Sequence, residues 1–547
     1  MAESSYLRER VPPRREDRLG SCTAFGGEIC GLKKRFGGGC PLVDNERAFR
    51  QASICQMIPA IAILATLPDT VVLMHGAVGC GGSNHTYQAS TRSRQMLDVT
   101  NPRGVTWLST ALDEIDVVSG GETKLRGALL EADARYRPKA IFVVITCTPS
   151  VIGDDVDGVI EGLRDDVSAT IVPVHCEGFK TKVMATAYDA VYHGVARSTL
   201  MEAPEEPLYS AVDSELERAA ETARRARLVN LLNVSSMGDK DEDELARLLR
   251  SLGLDVNIYP CFAQPENLRY AAEAALSVST CPTHDDYLVA FLQETFGVPY
   301  VLRHMPLGIA STSDWVRGVA AHFGLEETAE ALIARETAEL RQALAPLRPR
   351  LEGKTAVVSA GEVRTLSFAV LLDELGMKTL AVRPYHYDEF GAAAAGRLVD
   401  IDPTLIVNVA TMQPHEAANL LERLHPDIYI GHNADSVWAA KSGIPTLPIY
   451  GGPNTYMGYA GVFDIARRLT RQLANPSFNR RLAAHVTTPY AESWFAAEPF
   501  SLVSDEAGGD DEAPVVERAI RVEPAGHDER AGHVERAGHD ERAGHDV

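Results

Sequence analysis

The run Ile141-Phe142-Val143-Val144-Ile145 constrains this chain more than any other stretch. Consecutive apolar residues, most of them β-branched, leave no face for water. Such a run reads as a strand buried on both sides, the kind found in parallel sheets covered by helices. Cys147 follows almost at once, in Thr146-Cys147-Thr148-Pro149-Ser150, with Ile152-Gly153-Asp154-Asp155 beyond it. A side chain at the carboxyl end of a parallel strand faces the crevice where open α/β sheets take ligands. Cys80, in His75-Gly76-Ala77-Val78-Gly79-Cys80-Gly81-Gly82, comes after the apolar run Val71–Met74. Its flanking glycines let the backbone approach a bulky inorganic body. Cys55 stands just before the apolar Met57-Ile58-Pro59. Three soft thiolates delivered this way suit an iron–sulfur cluster, and the plain alternative for each is packing in a core.

The strand-then-helix order recurs. In residues 51–225, Val71–Met74, Ile141–Ile145 and Ile171–Val174 read as strands, with Leu125–Ala132 and Val156–Leu163 as helices. In 226–350, Arg227–Val234, Leu276–Thr280 and Val298–Leu302 are strands, and Asp241–Leu252 is an amphipathic helix. In 351–495 the strands are Thr355–Ser359, Thr379–Val382, Leu405–Val409, Ile428–Ile430 and Thr446–Tyr450. The expected architecture is α/β: three Rossmann-like domains with parallel sheets around a central cluster-binding cleft. Residues 1–50 are expected to be a polar N-terminal arm carrying Cys22, Cys30 and Cys40, whose spacing matches no compact metal motif. Residues 496–547 form an acidic low-complexity tail in which Ala-Gly-His recurs with a period of six, and disorder is its default.

The formal net charge is −22. Thirteen acidic residues against five arginines from Asp505 onward supply −8 of it, so the remainder is also acidic. Nucleic acid is therefore excluded as the main partner, because phosphate neutralisation needs a basic surface. No run of about twenty apolar residues exists, so no membrane span is expected. Nor does a basic start followed by an apolar core open the chain, so a cytoplasmic protein is expected. Cysteines in that compartment favour metal binding or burial over disulfides. No Gly-x-x-x-x-Gly-Lys-Ser/Thr occurs, so ATP hydrolysis on a P-loop belongs to another protein.

Three words together closely resemble the α-subunit of nitrogenase component 1. They are His75-Gly-x-x-Gly-Cys80, the run from Cys147 to Gly153-Asp154-Asp155, and Val172-Pro-Val-His-Cys-Glu-Gly-Phe179. The resemblance runs from about Cys55 to Arg468. It implies that Cys55, Cys80 and Cys147 bind one half of a P-cluster-type [8Fe-7S] body shared with a β-like subunit in an α2β2 heterotetramer. It also implies that Cys281, in Cys281-Pro282-Thr283-His284, ligates a large iron–sulfur–carbide cluster related to the nitrogenase cofactor or its precursor. A dimeric ATP-hydrolysing iron–sulfur reductase would dock near Gly120-Gly121-Glu122-Thr123-Lys124-Leu125.

Departures from the family pattern bear on function. The loop Leu447–Gly458 holds no histidine where the family has a cofactor ligand, which leaves His432, His386, His304 or Asn454 as replacements. The substrate-side glutamine and histidine of nitrogenase become Met184 and Tyr188, the homocitrate lysine becomes Ala434, and an arginine becomes Gln88. Methionine for glutamine makes the pocket softer and more apolar. Tyrosine for histidine moves the local proton donor from near neutral to about pH 10. Such a pocket points to a small thioether rather than dinitrogen. The chain thus resembles the α-like subunit of a methylthio-alkane reductase, with Tyr188 as candidate donor and Met184 as pocket wall. The rivals are a nitrogenase cofactor-assembly scaffold, an alternative nitrogenase, and a tetrapyrrole reductase of the nitrogenase-like group.

Overall fold

A computed structural model describes residues 9–37, 55–82, 104–202, 215–232, 240–449 and 454–503. Its strands in chain order are β1 (Ala24–Glu28), β2 (Thr70–His75), β3 (Val105–Ser109), β4 (Ala140–Ile145) and β5 (Thr170–His175). Next come β6 (Leu228–Leu232), β7 (Asp255–Tyr259), β8 (Leu276–Val278) and β9 (Tyr300–Val301). The last are β10 (Thr355–Ala360), β11 (Lys378–Pro384), β12 (Ile406–Ala410), β13 (Ile428–Gly431) and β14 (Thr446–Pro448). They form three sheets, ordered β3-β2-β4-β5, β7-β6-β8-β9 and β1-β12-β11-β10-β13-β14. Every pairing is parallel except β1 with β12. The α/β class and parallel sheets read from the sequence are thus what the chain adopts.

Sheet order fixes where ligands go. In each sheet successive crossovers leave a central strand in opposite directions, which opens a crevice at the carboxyl ends of two neighbours. The pairs are β2 and β4, β6 and β8, and β10 and β13. β2 and β4, buried along their whole length, pair in register from Thr70 with Ala140 to His75 with Ile145. Apolar cores cross between sheets. Leu231 and Val278 of the second sheet share a cluster with Val358 and Ile430 of the third. Val72 and Phe142 of the first share one with Tyr287 and Leu288 of helix Pro282–Phe296.

The expectation of a polar N-terminal arm is corrected for its described part. Residues 24–28 add an antiparallel edge to the third sheet, Ala24 opposite Ala410 through Glu28 opposite Ile406. Cys22 is fully buried, with its thiol donating to the Ala24 carbonyl at 3.4 Å, and packs beside Tyr387. Cys30 lies half-buried on helix Ile29–Gly37, while Cys40 falls outside the described residues. Before β1, Arg15 is wholly buried where three domains meet. Its guanidinium lies 3.7 Å from Asp189, 3.1 Å from Asp286 and 3.0 Å from Asp388. These carboxylates belong to helix Thr186–Ala196, to helix Pro282–Phe296 and to the exit of β11. Arg18 closes the same knot on Asp189 and Asp286. The Ala-Gly-His tail lies outside the described residues. Among the described residues no helix is long and apolar enough to cross a membrane.

Candidate cluster-binding sites

Cys80, Cys147 and Cys176 follow the carboxyl ends of β2, β4 and β5, three neighbours in the first sheet. Cys55 is set beside them by the start of helix Met57–Leu64, where Gln56 Nε2 donates to the Glu177 carbonyl at 2.7 Å. A methyl group on Gly178 would lie 2.7 Å from Cys55 Sγ and 3.8 Å from Cys147 Sγ. Two thiols therefore converge over a residue that has no side chain. Burial raises the Cys55 thiol pKa; the Met57 amide opposes this, and the Cys147 and Cys80 thiols add to it. Cys80 and Cys147 thus both lie near enough to act on Cys55 electrostatically. A soft metal reverses the balance, since it binds the thiolate and releases the proton. The donor set fits an iron–sulfur body. All three cysteines are half-buried, and Val78, Val151 and Phe179 around them are 65%, 70% and 57% exposed.

The sequence words around these cysteines turn out to be braces. His75 Nδ1 is 3.1 Å from Thr110 Oγ1, and His75 Nε2 is 3.2 Å from Asp154 Oδ2. Asp154 Oδ1 also accepts the Gly121 amide at 2.9 Å, and Thr146 Oγ1 donates to the His75 carbonyl at 3.0 Å. A Cβ at Gly76 would fall on Thr146 Oγ1, so only glycine fits there. Glu177 opposes its burial by bonding His175 and Lys180, which bring its pKa down to about 2.

The second site is a cleft of about 800 Å³ where the three domains meet. Cys281 sits at the N-terminus of helix Pro282–Phe296, just beyond β8. Asp285 holds the turn by accepting Ser279 Oγ at 2.7 Å and the Thr280 amide at 3.2 Å. Trp315 Nε1 donates to the Ser279 carbonyl at 2.9 Å from behind. Burial, then the Asp285 charge, pushes the Cys281 thiol up to about 12, and Arg364 opposes them. The pocket is lined by Cys281, Met184, Tyr188, Met305 and His432, among others. Tyr188 stacks on His284 with ring centroids 4.1 Å apart. Burial and then Arg364 lower His432 to about 4, so its imidazole is neutral at pH 7 and able to ligate. A soft thiol at the floor and the Arg364 cation on the wall fit an anionic iron–sulfur body.

The cleft therefore gathers Cys281, Met184, Tyr188 and His432, whereas Asn454 is not among its lining residues. Gln88 lies outside the described residues, as does the side chain of Ala434. His386, one of the candidate replacement ligands, also lines the cleft, whereas His304 does not; sequence reasoning missed Glu362, Arg364 and His284 as lining groups. Gly361-Glu362-Val363-Arg364 follows β10 directly, so the position of a predicted strand was a signal that could have found two of them.

The profile of the nitrogenase component 1 type oxidoreductases matches residues 55–474. A nitrogenase iron-molybdenum cofactor biosynthesis protein NifE from Rippkaea orientalis is 29% identical over 77% of this chain and 85% of its own. The nitrogenase molybdenum-iron protein alpha chain of Methanothermobacter marburgensis is 25% identical over 76% of this chain and 86% of its own. The fold of nitrogenase Cp1 superposes with a TM-score of 0.65 at 20% identity, covering 88% of this chain and 99% of that one.

Proposed function

This chain belongs to the nitrogenase component 1 type oxidoreductase family, and we propose that it is the α-like subunit of a reductase that cleaves carbon–sulfur bonds of small methylthio-alkanes. The observation that carries this reading is the lining of the cleft: Met184, Met305, Ile58, Pro59 and Tyr188 share it with the Cys281 thiol. Thioether and aliphatic walls favour a small, weakly polar, sulfur-bearing molecule such as dimethyl sulfide or 2-methylthioethanol. Cys55, Cys80 and Cys147 would hold, with a β-like partner, one half of a P-type cluster, and Cys281 with His432 a larger iron–sulfur–carbide cluster; when bound, the two supply electron relay and storage. The exposed apolar rim of Val78, Val151 and Phe179 supports a partner subunit at the first site. Electrons would come from a dimeric ATP-hydrolysing iron–sulfur reductase.

The test is headspace analysis of the purified complex with its reductase, ATP and dimethyl sulfide. Methane and methanethiol in equal amounts support the reading, and consumption of no thioether sinks it. A second reading, a cofactor-assembly scaffold, is favoured by the name of the 29% identical relative and by the histidine-free Leu447–Gly458 loop. It predicts instead that the complex passes its cluster to an apo acceptor and turns over nothing. An alternative nitrogenase would reduce acetylene and dinitrogen.

A further inference from the structure

Glu362 and His386 both line the Cys281 cleft, and Asp388 clusters with them. One ligand atom from each of the three lies within 4.8 Å of the others. His386 Nε2 is 3.6 Å from Glu362 Oε2 and 3.5 Å from Asp388 Oδ2. All three side chains are buried, yet their surroundings differ. Asp388 Oδ2 accepts Arg15 Nε at 3.0 Å. Burial works against its charge, but Arg15 and then His386 hold this carboxyl far below the usual range. Glu362 Oε1 accepts the Asp388 amide at 2.7 Å, while Oε2 makes no hydrogen bond among the described residues. Burial and the neighbouring Asp388 charge keep Glu362 well above the usual carboxylate range. Arg15 and Arg18 already face three carboxylates, Asp189, Asp286 and Asp388, so an ionised Glu362 would add a further buried negative charge to the cluster. The other titratable groups facing the pair are Arg364 on its own helix, His284 from helix Pro282–Phe296, Tyr385 and Tyr387 at the β11 exit, and His432 at the β13 exit.

Two buried acids, one held by Arg15 and one with an oxygen that makes no hydrogen bond among the described residues, each within 3.6 Å of an imidazole on a cavity wall, form an acid–base assembly. A divalent cation could use the same three side chains, but the Arg15 guanidinium already occupies the Asp388 carboxylate. We propose that Glu362 and His386 are the proton-donating pair of the cleft, with Asp388 and Arg15 as positioning residues that hold His386. This rests on the reductase reading. The reaction is R–S–CH3 plus two electrons and two protons, giving R–H and CH3SH: one carbon–sulfur bond breaks, and one C–H and one S–H bond form. The ATP-dependent iron–sulfur reductase supplies the electrons. Glu362 gives its carboxyl proton to substrate, and His386 returns one from solvent before the second transfer.

The test uses the full complex with its partner subunit and reductase, comparing wild type with Glu362→Gln and His386→Gln. Infrared difference spectra of the resting complex need no turnover. A protonated-carboxyl band near neutral pH that shifts in D2O and vanishes in Glu362→Gln, at unchanged iron content, is the expected result. Its absence from wild type overturns the proposal. With dimethyl sulfide, Glu362→Gln should lower product formation by about 10²-fold or more while reductase ATP hydrolysis continues. Wild-type rates in both variants overturn the proposal. If wild type reduces no thioether, proton reduction to hydrogen is the readout: a similar loss in Glu362→Gln keeps the donor pair and discards only the substrate. If Glu362→Gln loses iron, His386→Gln decides, since lowered product formation at wild-type iron content supports the relay and an unchanged rate overturns it.

Discussion

Arg15→Met removes one charge from the place where all three domains meet and keeps most of the apolar stem. The wild-type guanidinium donates to Asp388 at 3.0 Å, to Asp286 at 3.1 Å and to the Thr283 carbonyl at 3.1 Å. Asp189 and Asp286 retain Arg18 in the variant. Asp388 has no other arginine or lysine ion pair among the described residues and so bears most of the loss. Stranding one partner of a buried pair costs about 3–5 kcal/mol. Arg14→Ala, one residue away, breaks an ion pair with Asp17 in which both side chains are 52% exposed, and should cost about 0–1 kcal/mol. A chain with three domains does not unfold in one step, so amide hydrogen exchange is the assay. Opening of the turn Glu389–Gly391 and helix Ala392–Ile401, which follow Asp388, should become easier by about 3–5 kcal/mol at pH 7 in Arg15→Met. The difference should depend on pH with a definite sign. The folded pKa of Asp388 is depressed, so its contribution is present above the unfolded value, about 4, and fades as the pH falls below it. A cost below about 1 kcal/mol at pH 7, matching Arg14→Ala, would refute the clasp.

Gly178→Ala puts a methyl group 2.7 Å from Cys55 Sγ, so iron at the first site should fall sharply while iron held by Cys281 persists. Mössbauer spectra of the complex read the two pools separately. Glu177→Gln should flatten the acid limb of stability. The Glu177 carboxyl is held at about 2 in the fold, so its contribution is complete above its ordinary value of 4.5 and is lost as the pH falls toward 2. Denaturant midpoints at pH 7, 4 and 3 check this, with the variant deficit shrinking as the pH drops.

Much of the fold was legible because its central strands are continuous apolar runs. β2, β4, β6 and β10 carry patterns that only a sheet covered on both faces uses. The strands that escaped notice, β1, β3 and β7, all lie at sheet edges. β3 and β7 are only partly buried, and β1 is Ala-Phe-Gly-Gly-Glu, whose paired glycines read as a turn. Arg15 and Arg18 looked like arm residues because charge in a polar segment reads as solvated, and their acidic partners lie more than 170 residues away. The cysteines were legible because strand ends and glycines mark them locally. Glu362, Arg364 and His284 were not, because they reach one cleft only when crossovers from different sheets meet there. The same holds for Cys176, quoted within a motif and found beside Cys55.

Everything turns on whether the sulfur of residue 281 carries metal. Anomalous diffraction at the iron edge, on the complex isolated without oxygen, addresses that directly. A peak of several irons bonded to Cys281 Sγ, separate from the one shared by Cys55, Cys80 and Cys147 and absent from Cys281→Ala, is the expected result. A bare Cys281 thiol in protein whose first site is full would contradict it.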